Sequence, residues 1–331
     1  MSEKITMQKI ADKVGVSKVT VSKVLNGMPG ISEETQKKII NMANELGYKK
    51  KNRIKTAQAK NLKLFLMISK RYFLEDDKFY TVIVYHLNNI YQKLGAETIF
   101  TVVNAQNIEE VAGREYHGSG IFLIGEFDKD FVLKLSEKGL PIVGIDFYMP
   151  NIHMDFVMND NYNAAFYATQ FLIDCGHTKI GFSGNIQHSN SITDRYYGYR
   201  KALYKNNIKF SKDWIIQEND YDNVYSYDFS LPADMPTAFL CHSDKTGIIL
   251  KERLATLGYK VPDDVSIISF DNTERSAYPQ NNLTAIDIDT KGMAYKAHDL
   301  MMNRLAHPSL LPQKYILSSE IVHRASVKRL G

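Results

Sequence analysis

The sequence has few of the features that mark secreted, metal-binding or membrane proteins. It contains only two cysteines, Cys175 and Cys241, whose wide separation provides neither a disulfide framework nor the spacing of metal ligands. No run of about 18 apolar residues occurs, so no transmembrane helix is expected. The first residues include Glu3, Lys4 and Lys9 rather than the apolar core of a secretory signal. We therefore expect two buried thiols and a cytoplasmic location.

The motifs of common enzymes are also missing. No glycine-rich phosphate-binding loop follows an apolar run, since the stretch GFSGN has too few glycines. No serine stands in a nucleophile elbow, and Asp194, Asp244 and Asp271 are scattered along the chain. His177 fits a turn better than a general base, and the histidines between residues 153 and 242 lack metal-ligand spacing. We expect no catalytic residue, no cofactor and no bound metal.

The composition that remains is that of a globular protein with uneven charge. Hydrophobic residues make up 44% and charged residues 24%, and 331 residues are enough for two or three domains. Residues 1–63 hold 14 Lys and Arg against 5 Asp and Glu, a net +9, while the rest holds 27 against 32, a net −5. A basic module joined to a mildly acidic body is typical of a nucleic-acid-binding protein, although a solvated basic tail would have the same charge.

The basic module contains three short helical patterns. Thr6 is placed to cap a first helix that ends at Gly15, and Ser17 is placed to cap a second. Ser32, followed by acidic residues in the first turn, begins a third helix that Gly47 closes. Two short helices joined by the tight turn VGVS form a helix-turn-helix, and short side chains on the second helix allow it to enter the major groove. The alternative on pattern alone is a three-helix bundle with no partner.

The stretch ITMQKIADKVGVSKVTVSKVLNG, followed by ISEETQKKIINMANELGYKKKNR, closely resembles the DNA-binding domain of the lactose/galactose repressor family of bacterial regulators. The resemblance covers residues 5 to about 53. It implies base-edge contacts by Lys18, Val19 and Lys23. It implies phosphate contacts by Thr20, Ser22 and Asn26, and further DNA contacts by Thr6 and Ser17 at the helix starts. Lys23 stands where the family usually has Arg, and because Lys lacks the bidentate fork of Arg we expect less sharp readout there.

Residues 48–61 form a basic, glycine-free junction. In the family this segment folds on DNA into a hinge helix whose Leu opens a base step in the minor groove, and Asn52 and Arg53 fit its usual start. The usual Pro is absent, and Ala57, Gln58 and Ala59 stand where the Leu is expected. A weaker hinge helix and an exposed tether both remain open. The junction residues expected to contact DNA, mainly its backbone, are Lys49, Lys50, Lys51, Asn52, Arg53 and Ile54.

From Leu64 onward, apolar runs of strand length alternate with amphipathic segments of helix length, which predicts βαβ units. Two parallel sheets fit better than one long sheet, and ligands of such sheets bind at the carboxyl ends of strands, so we expect a site between two lobes. The expected strands are 62–69, 96–103, 120–126, 141–147, 179–185, 237–243 and 265–272. The expected helices lie near 79–94, 129–138, 161–175, 191–206 and 244–257.

Polar side chains stand where several expected strands end. Asp146, Ser243 and Asp271 follow three of these strands, and Arg195 opens the helical segment RYYGYRKAL. Carboxylates and an arginine beside aromatic rings suit a ligand with many hydroxyl groups. The alternative is that each acidic residue only caps a helix, which we favour for Asp244.

The body also resembles the sugar-binding-protein-like regulatory domain of the same family, over roughly residues 62–328. The segments VMNDNYNAAFYATQFLIDCGHTKIGFSG, DRYYGYRKAL and LGYKVPDDVSIISFDN carry this resemblance. The effector-binding residues that it implies are Arg195 and Asp271 as main ligands, Asp146 and Ser243 in support, and Phe79 and Tyr80 as an aromatic wall. Ser243 stands where the family usually has Asn, and residues 219–236 are short by about one helix.

The expected fold is therefore a small all-α helix-turn-helix domain followed by a two-lobed, periplasmic-binding-protein-like α/β domain with two parallel sheets. The expected domains are a DNA-binding domain over 1–47, a linker over 48–61, and an effector-binding and dimerisation domain over 62–331. Its N-lobe is expected to comprise about 62–159 and 288–318, and its C-lobe about 160–287 and 319–331.

These features predict a sequence-specific transcriptional regulator, a repressor of a carbohydrate-utilisation operon, whose binding to a near-palindromic DNA operator is set by a sugar-like effector. A homodimer is implied, because one recognition helix reads only a half-site. A sugar-binding transport receptor would share the body but carry a signal peptide and lack the helix-turn-helix, and an enzyme would need a reactive constellation. An activator and a regulator with a phosphoprotein co-effector remain open, as does the identity of the effector.

Overall fold

The computed structural model describes residues 5–25, 31–46, 61–73, 78–217, 219–221, 224–226 and 229–330. The chain divides into two compact units, Met1–Thr56 and Ala57–Gly331, and each is described by itself. The predicted hinge helix lies outside the described residues. So do seven of the predicted DNA contacts, namely Asn26, Lys49, Lys50, Lys51, Asn52, Arg53 and Ile54.

The first unit contains helices α1 (Met7–Val14), α2 (Lys18–Leu25) and α3 (Glu33–Glu45). The caps predicted from the sequence are present: the side chains of Thr6, Ser17 and Ser32 each accept a hydrogen bond from the backbone N–H three residues later. Gly15 ends α1 with φ 76°, a left-handed conformation that costs little without a Cβ. Local sequence chemistry therefore sets where these helices begin and where the first one ends.

A small apolar core holds the three helices together. Ile10 and Ala11 of α1, Val21 of α2 and Ile39 of α3 are fully buried. The small Ala11 side chain permits the close approach of helices that a helix-turn-helix requires. Val19, on the opposite face of α2 from Val21, is 65% exposed. The unit is thus packed on one face of α2 and leaves the other face open to solvent.

The elements of the second unit follow one another in an alternating order. In chain order they are β1 (Lys63–Ser69), α4 (Lys70–Phe73), α5 (Phe79–Leu94), β2 (Glu97–Val103), α6 (Ile108–Gly113), β3 (Gly120–Ile124), α7 (Lys129–Ser136), β4 (Ile142–Ile145), β5 (Asp155–Asn159), α8 (Asn161–Asp174), β6 (Ile180–Ser183), α9 (Asn190–Lys205), a 3-10 turn (Lys212–Trp214), β7 (Ile215–Ile216), β8 (Asn219–Tyr221), β9 (Val224–Ser226), β10 (Ala238–Cys241), α10 (Asp244–Thr256), β11 (Ser266–Asp271), β12 (Thr284–Asp287), α11 (Thr290–Ala306), β13 (Lys314–Leu317) and β14 (Glu320–Val322).

These strands form two six-stranded sheets. The N-lobe sheet has the order β13-β5-β4-β3-β1-β2 and is parallel throughout. The C-lobe sheet has the order β14-β12-β11-β10-β6-β7 and is parallel except where β14 pairs antiparallel with β12. A separate antiparallel ribbon joins β8 and β9. The predicted fold class, a small helix-turn-helix domain followed by a two-lobed α/β domain with two parallel sheets, is confirmed, although β14 adds an antiparallel strand to the C-lobe sheet.

The chain passes between the two lobes after β5, again after β12 and again after β13. The strands β5, β12, β13 and β14 were not predicted from the sequence, and neither was the helix α11, which lies between β12 and β13. Strand β13 lies at a sheet edge and is mostly exposed, so it lacks the continuous apolar run by which the central strands were found. The central strands β3 and β4, by contrast, are buried along their whole length.

Two further sequence expectations concern buried groups. Both cysteines are buried, and neither forms a disulfide. His177 is buried beside a turn, and its ring nitrogens pair with the Thr237 hydroxyl at 2.9 Å and the Lys328 carbonyl at 3.1 Å. His177 therefore joins chain segments rather than opening onto a site. Among the described residues, no helix combines the length and the apolar character needed to cross a bilayer.

Candidate functional site

The exposed face of α2 carries most of the described residues that were predicted to contact DNA. Lys18, Val19 and Lys23 are exposed, and Thr20 and Ser22 are half-buried. The helix contains no acidic residue, so nothing on it repels a phosphate group. An exposed Val between two lysines is poorly placed for packing within the unit, but it suits contact with a thymine methyl group in the major groove.

In the second unit, a cleft opens where the carboxyl ends of strands from the two lobes meet. Asp146 follows β4, Ser243 follows β10 and Asp271 ends β11. All six residues predicted to bind an effector line this cleft, namely Phe79, Tyr80, Asp146, Arg195, Ser243 and Asp271. Lining residues that were not predicted include Tyr72, His188, Ser191, Ile192, His242 and Lys245. The structure therefore brings together side chains that lie far apart in sequence.

Arg195 of α9 is buried and held by several groups of the C-lobe. Its Nε donates to Asn161 Oδ1 at 2.8 Å, and its Nη1 donates to the carbonyl oxygen of His242. The Nη1 atom also lies 3.6 Å from Asp271 Oδ1, and the guanidinium carbon lies 4.2 Å from the ring centre of Phe270. These contacts fix the plane of the guanidinium, which is the condition for directed hydrogen bonding to a ligand.

Asp146 is the corresponding polar group of the N-lobe, and it is held by fewer partners. The Tyr80 hydroxyl donates to its Oδ2 at 2.8 Å, whereas no described group donates to its buried Oδ1. Burial raises the pKa of Asp146 to about 6, although the charge of Arg195 and the Tyr80 hydrogen bond act in the opposite direction. A buried acceptor without a donor costs about 1–3 kcal/mol. A ligand hydroxyl at Oδ1 would remove this cost.

Both acidic residues of the cleft also have unusual backbone conformations. Asp146 has φ 64° and Asp271 has φ 95°, each in the left-handed region at the end of a strand. Non-glycine residues in sparsely populated regions cost of order 1–3 kcal/mol each, and such residues cluster at ligand sites. In each lobe, a left-handed backbone conformation at the strand end therefore directs a carboxylate toward the loops beside the sheet.

The N-cap of the helix that follows β10 differs from the prediction. Ser243, not Asp244, is the N-cap of α10, since its Oγ accepts from Thr246 N at 3.2 Å. The prediction that Asp244 caps the helix is wrong. Asp244 is buried and accepts hydrogen bonds from the Ser269 hydroxyl and from Thr273, and burial raises its pKa to about 6. The hydrogen bonds of the Asp244 carboxylate connect the start of α10 to β11 and to the loop that follows β11.

Aromatic rings form the N-lobe side of the cleft. The ring of Tyr80 lies 4.9 Å from Phe79 and 4.7 Å from Tyr72. Tyr72 was not predicted, because α4 is a single turn without a motif of its own. The three rings give a surface on which the CH faces of a ring-shaped ligand could pack.

Polar contacts at the rim join the two lobes directly. The Glu126 carboxylate accepts from the Asn190 backbone N–H at 3.3 Å and from its side-chain amide at 3.2 Å. Arg71 donates to the His188 carbonyl at 3.0 Å. We call these four residues the latch. Burial raises the pKa of Glu126, and the charge of Arg71 partly offsets this effect. The latch holds the amino end of α9, the helix that carries Arg195, against the N-lobe.

Comparison with known proteins agrees with this architecture. Residues 6–51 match the sequence model of the bacterial regulatory proteins of the lacI family, and residues 169–327 match that of a periplasmic binding protein-like domain. The HTH-type transcriptional repressor PurR of Vibrio campbellii is 26% identical, and the alignment covers 98% of this chain and 99% of that protein. The probable HTH-type transcriptional repressor ExuR of Bacillus subtilis is 24% identical, with coverage of 98% and 99%.

Solved structures show the same fold. A complex of the transcriptional regulator CelR with cellobiose has a TM-score of 0.70 and 23% identity, over 97% of this chain and 99% of that one. The lac repressor dimer bound to operator and the anti-inducer ONPF has a TM-score of 0.67 and 20% identity, over 98% and 100%. The chain accordingly combines a helix-turn-helix domain of the lacI family of bacterial regulatory proteins with a two-lobed, periplasmic-binding-protein-like domain.

Proposed function

We propose that this protein represses a carbohydrate-utilisation operon, binds a near-palindromic operator as a homodimer in the cytoplasm, and is controlled by a sugar or related polyol in the cleft. In this proposal the protein has no catalytic activity of its own, in keeping with a family of regulators. The observation that carries it is the meeting of Arg195 and Asp271 from one lobe with Asp146 from the other at a single cleft. No element of the proposal requires a cofactor or a metal.

The chemistry of the cleft supports a polyol. A fixed guanidinium donates to hydroxyl oxygens, and carboxylates accept from hydroxyl hydrogens, so adjacent hydroxyl groups can be held in one geometry. The Oδ1 atom of Asp146 is an acceptor that lacks a donor among the described residues. The neighbouring aromatic rings complete a site with polar and apolar walls. Among structural relatives, one family regulator from Enterococcus faecium was solved with bound ribose, at a TM-score of 0.68 and 19% identity, over 81% of this chain and 100% of that one.

The dimensions of the cleft suggest how binding is coupled to lobe movement. Its free volume is about 60 Å³, which is room for a few water molecules. In this proposal a sugar enters with the lobes further apart and contacts both walls once bound. Because the ligand binds the two lobe arrangements with different affinity, it shifts the balance between them.

The first unit supports the DNA side of the proposal. In this arrangement Lys18, Val19 and Lys23 of α2 face base edges, while Thr20 and Ser22 contact phosphates. A homodimer places two such helices in successive half-sites, which doubles the number of contacts and explains a palindromic preference.

Two measurements test the proposed function. Selection from random duplex DNA is expected to enrich a site with two related half-sites, and the absence of any enriched palindrome would contradict operator binding. A thermal-shift screen of mono- and disaccharides is expected to find a ligand that raises the melting temperature, because a ligand that binds only the folded state stabilises it. That ligand should then change operator affinity in a binding assay, and a ligand without this effect would contradict control through the cleft.

A further inference from the structure

A second concave surface lies between α8 and α9 on the C-lobe and shares no lining residue with the effector cleft. The two helices run side by side in the same direction, with Gly198 beside Tyr162 and Asn206 beside Gln170. Gly198 allows this close approach, since a Cβ there would collide with the carbonyl oxygen of Tyr162. The outer faces of the two helices then form the walls of a shallow channel, which we call the α8–α9 groove.

The lining of the α8–α9 groove is unusually aromatic for a solvent-exposed surface. Tyr162, Phe166 and Tyr167 line it from α8, and Tyr204 lines it from α9. Tyr167 is 61% exposed and Tyr204 is 77% exposed. Exposed apolar surface of this kind, rimmed by polar groups, marks sites of association with other macromolecules.

The charge of the groove has one sign. Lys201 and Lys205 line it, and no carboxylate does. Lys205 Nζ lies 5.5 Å from the ring centre of Phe166, and Lys201 Nζ lies 5.8 Å from that of Tyr204. Within the described part of the chain neither lysine has an ion pair. The groove thus offers two ammonium groups over aromatic rings, on a body that is otherwise net negative beyond residue 63.

We propose that the α8–α9 groove docks an acidic amphipathic helix of a partner protein. Grooves between parallel-packed helices accept a third helix through apolar side chains spaced one turn apart. The α8 part of the lining, from Tyr162 to Tyr167, rises about 8 Å along the helix axis, which matches about one and a half turns of such a helix. Acidic residues beside the apolar ones would meet Lys201 and Lys205. A second copy of this chain fits less well, because an isologous contact would set these lysines against themselves.

The full-length protein can be tested with designed peptides. The probe is a short helical peptide with Leu at positions i, i+3, i+4 and i+7 and Glu at most other positions, labelled for fluorescence anisotropy. A second peptide has Lys at every Glu position, and a third keeps Glu but replaces each Leu with Gln. We expect binding of the first peptide only, with an affinity that falls as salt is added. Equal binding of the first two peptides, or no binding of the first, would overturn the proposal.

Two double variants test whether the first peptide binds at the α8–α9 groove. Tyr167→Ser with Lys205→Glu is expected to weaken binding of the first peptide by about tenfold or more, since aromatic and cationic contacts dominate such interfaces. The matched control exchanges the same residue types elsewhere on the C-lobe, Tyr278→Ser with Lys209→Glu, at two exposed positions, and should bind like the parent. Both pairs should keep the melting temperature and the effector response of the parent.

The same variants distinguish a partner protein from a second copy. Sedimentation of the parent and of the groove variant is expected to give the same oligomeric state. A smaller assembly in the groove variant alone would show that a second copy occupies the groove, and would overturn the proposal. Unchanged peptide affinity in the groove variant would overturn it as well, because the peptide would then bind elsewhere.

Discussion

The two walls of the effector cleft differ in how firmly their polar groups are held. On the C-lobe wall, Arg195 is fixed by Asn161, the His242 carbonyl and Asp271. On the N-lobe wall, Asp146 has one described donor and one acceptor atom without a donor. The polar groups of the C-lobe wall are therefore already held in place, whereas the proposed ligand would supply the missing donor on the N-lobe wall.

The largest expected effect is the loss of the fixed group on the C-lobe wall. Arg195→Ala should weaken effector binding by roughly a hundredfold, because hydrogen bonds to charged groups contribute about 1.5–3 kcal/mol. It should also destabilise the fold, since Asp271 loses a buried cation. Isothermal titration calorimetry with the effector from the screen measures the first effect.

Arg195→Lys is the matched variant, because it keeps the charge but loses the planar fork. It should fold like the parent and still lose about tenfold in affinity. Effector binding like the parent in both variants would show that the C-lobe wall does not hold the ligand.

A smaller effect is expected on the N-lobe wall. Asp146→Asn keeps the shape but removes the charge, so effector affinity should fall by about tenfold. Without ligand the same change should stabilise the protein at pH 7. The folded-state pKa is about 6 against a reference of 3.8, so ionising the buried carboxyl costs up to about 3 kcal/mol above pH 6.

The pH dependence of effector affinity and that of protein stability distinguish the two expected effects of Asp146→Asn. For the parent, the contribution of Asp146 to stability falls as pH rises from about 4 to about 6, because the folded state holds the proton more tightly. Effector affinity has the opposite slope, rising as the carboxyl ionises and can accept a hydroxyl. His188 and His242 also line the cleft, so the difference between parent and Asp146→Asn is the relevant measurement. An identical pH profile in both proteins would contradict the role of Asp146.

The latch should have a weaker effect, because its hydrogen bonds lie at the rim. Glu126→Ala and Asn190→Ala should each lower effector affinity by about threefold, by reducing the population of the closed arrangement. The double variant should lose less than the sum of the two single losses, because the two side chains share one hydrogen bond, which a double-mutant cycle detects. Additive losses would mean that Glu126 and Asn190 act independently of each other.

The smallest expected effect on the cleft comes from the DNA-binding unit. Lys18→Ala with Val19→Ala should leave effector affinity unchanged, since both residues lie in the separate first unit, yet it should alter which base pairs are preferred. Selection from random DNA with the variant and the parent measures this. Lost effector binding in this variant would contradict the assignment of the two functions to separate units.

Much of this organisation could be predicted from local sequence. The caps at Thr6, Ser17 and Ser32 were predicted because hydroxyl side chains satisfy backbone groups only a few residues away. Most of the buried central strands were predicted because parallel strands covered on both faces are continuously apolar. The buried strand β5 was missed, because its short segment DFVMN has a polar residue at each end. Asp244 was misassigned, because its hydrogen bonds reach Ser269 and Thr273 on a distant segment.

What the sequence by itself determined is therefore local: the helix-turn-helix with its caps, the alternation that specifies two sheets, and the candidate ligands at strand ends. Only the tertiary structure decided which of these meet. The latch between Glu126 and Asn190, the contribution of Tyr72 to the cleft and the α8–α9 groove all depend on contacts between separate segments. Such contacts arise from the repeated passage of the chain between lobes and from close helix packing at Gly198. They leave no periodic pattern in sequence, because periodicity reports which face of an element is buried and not which segment buries it.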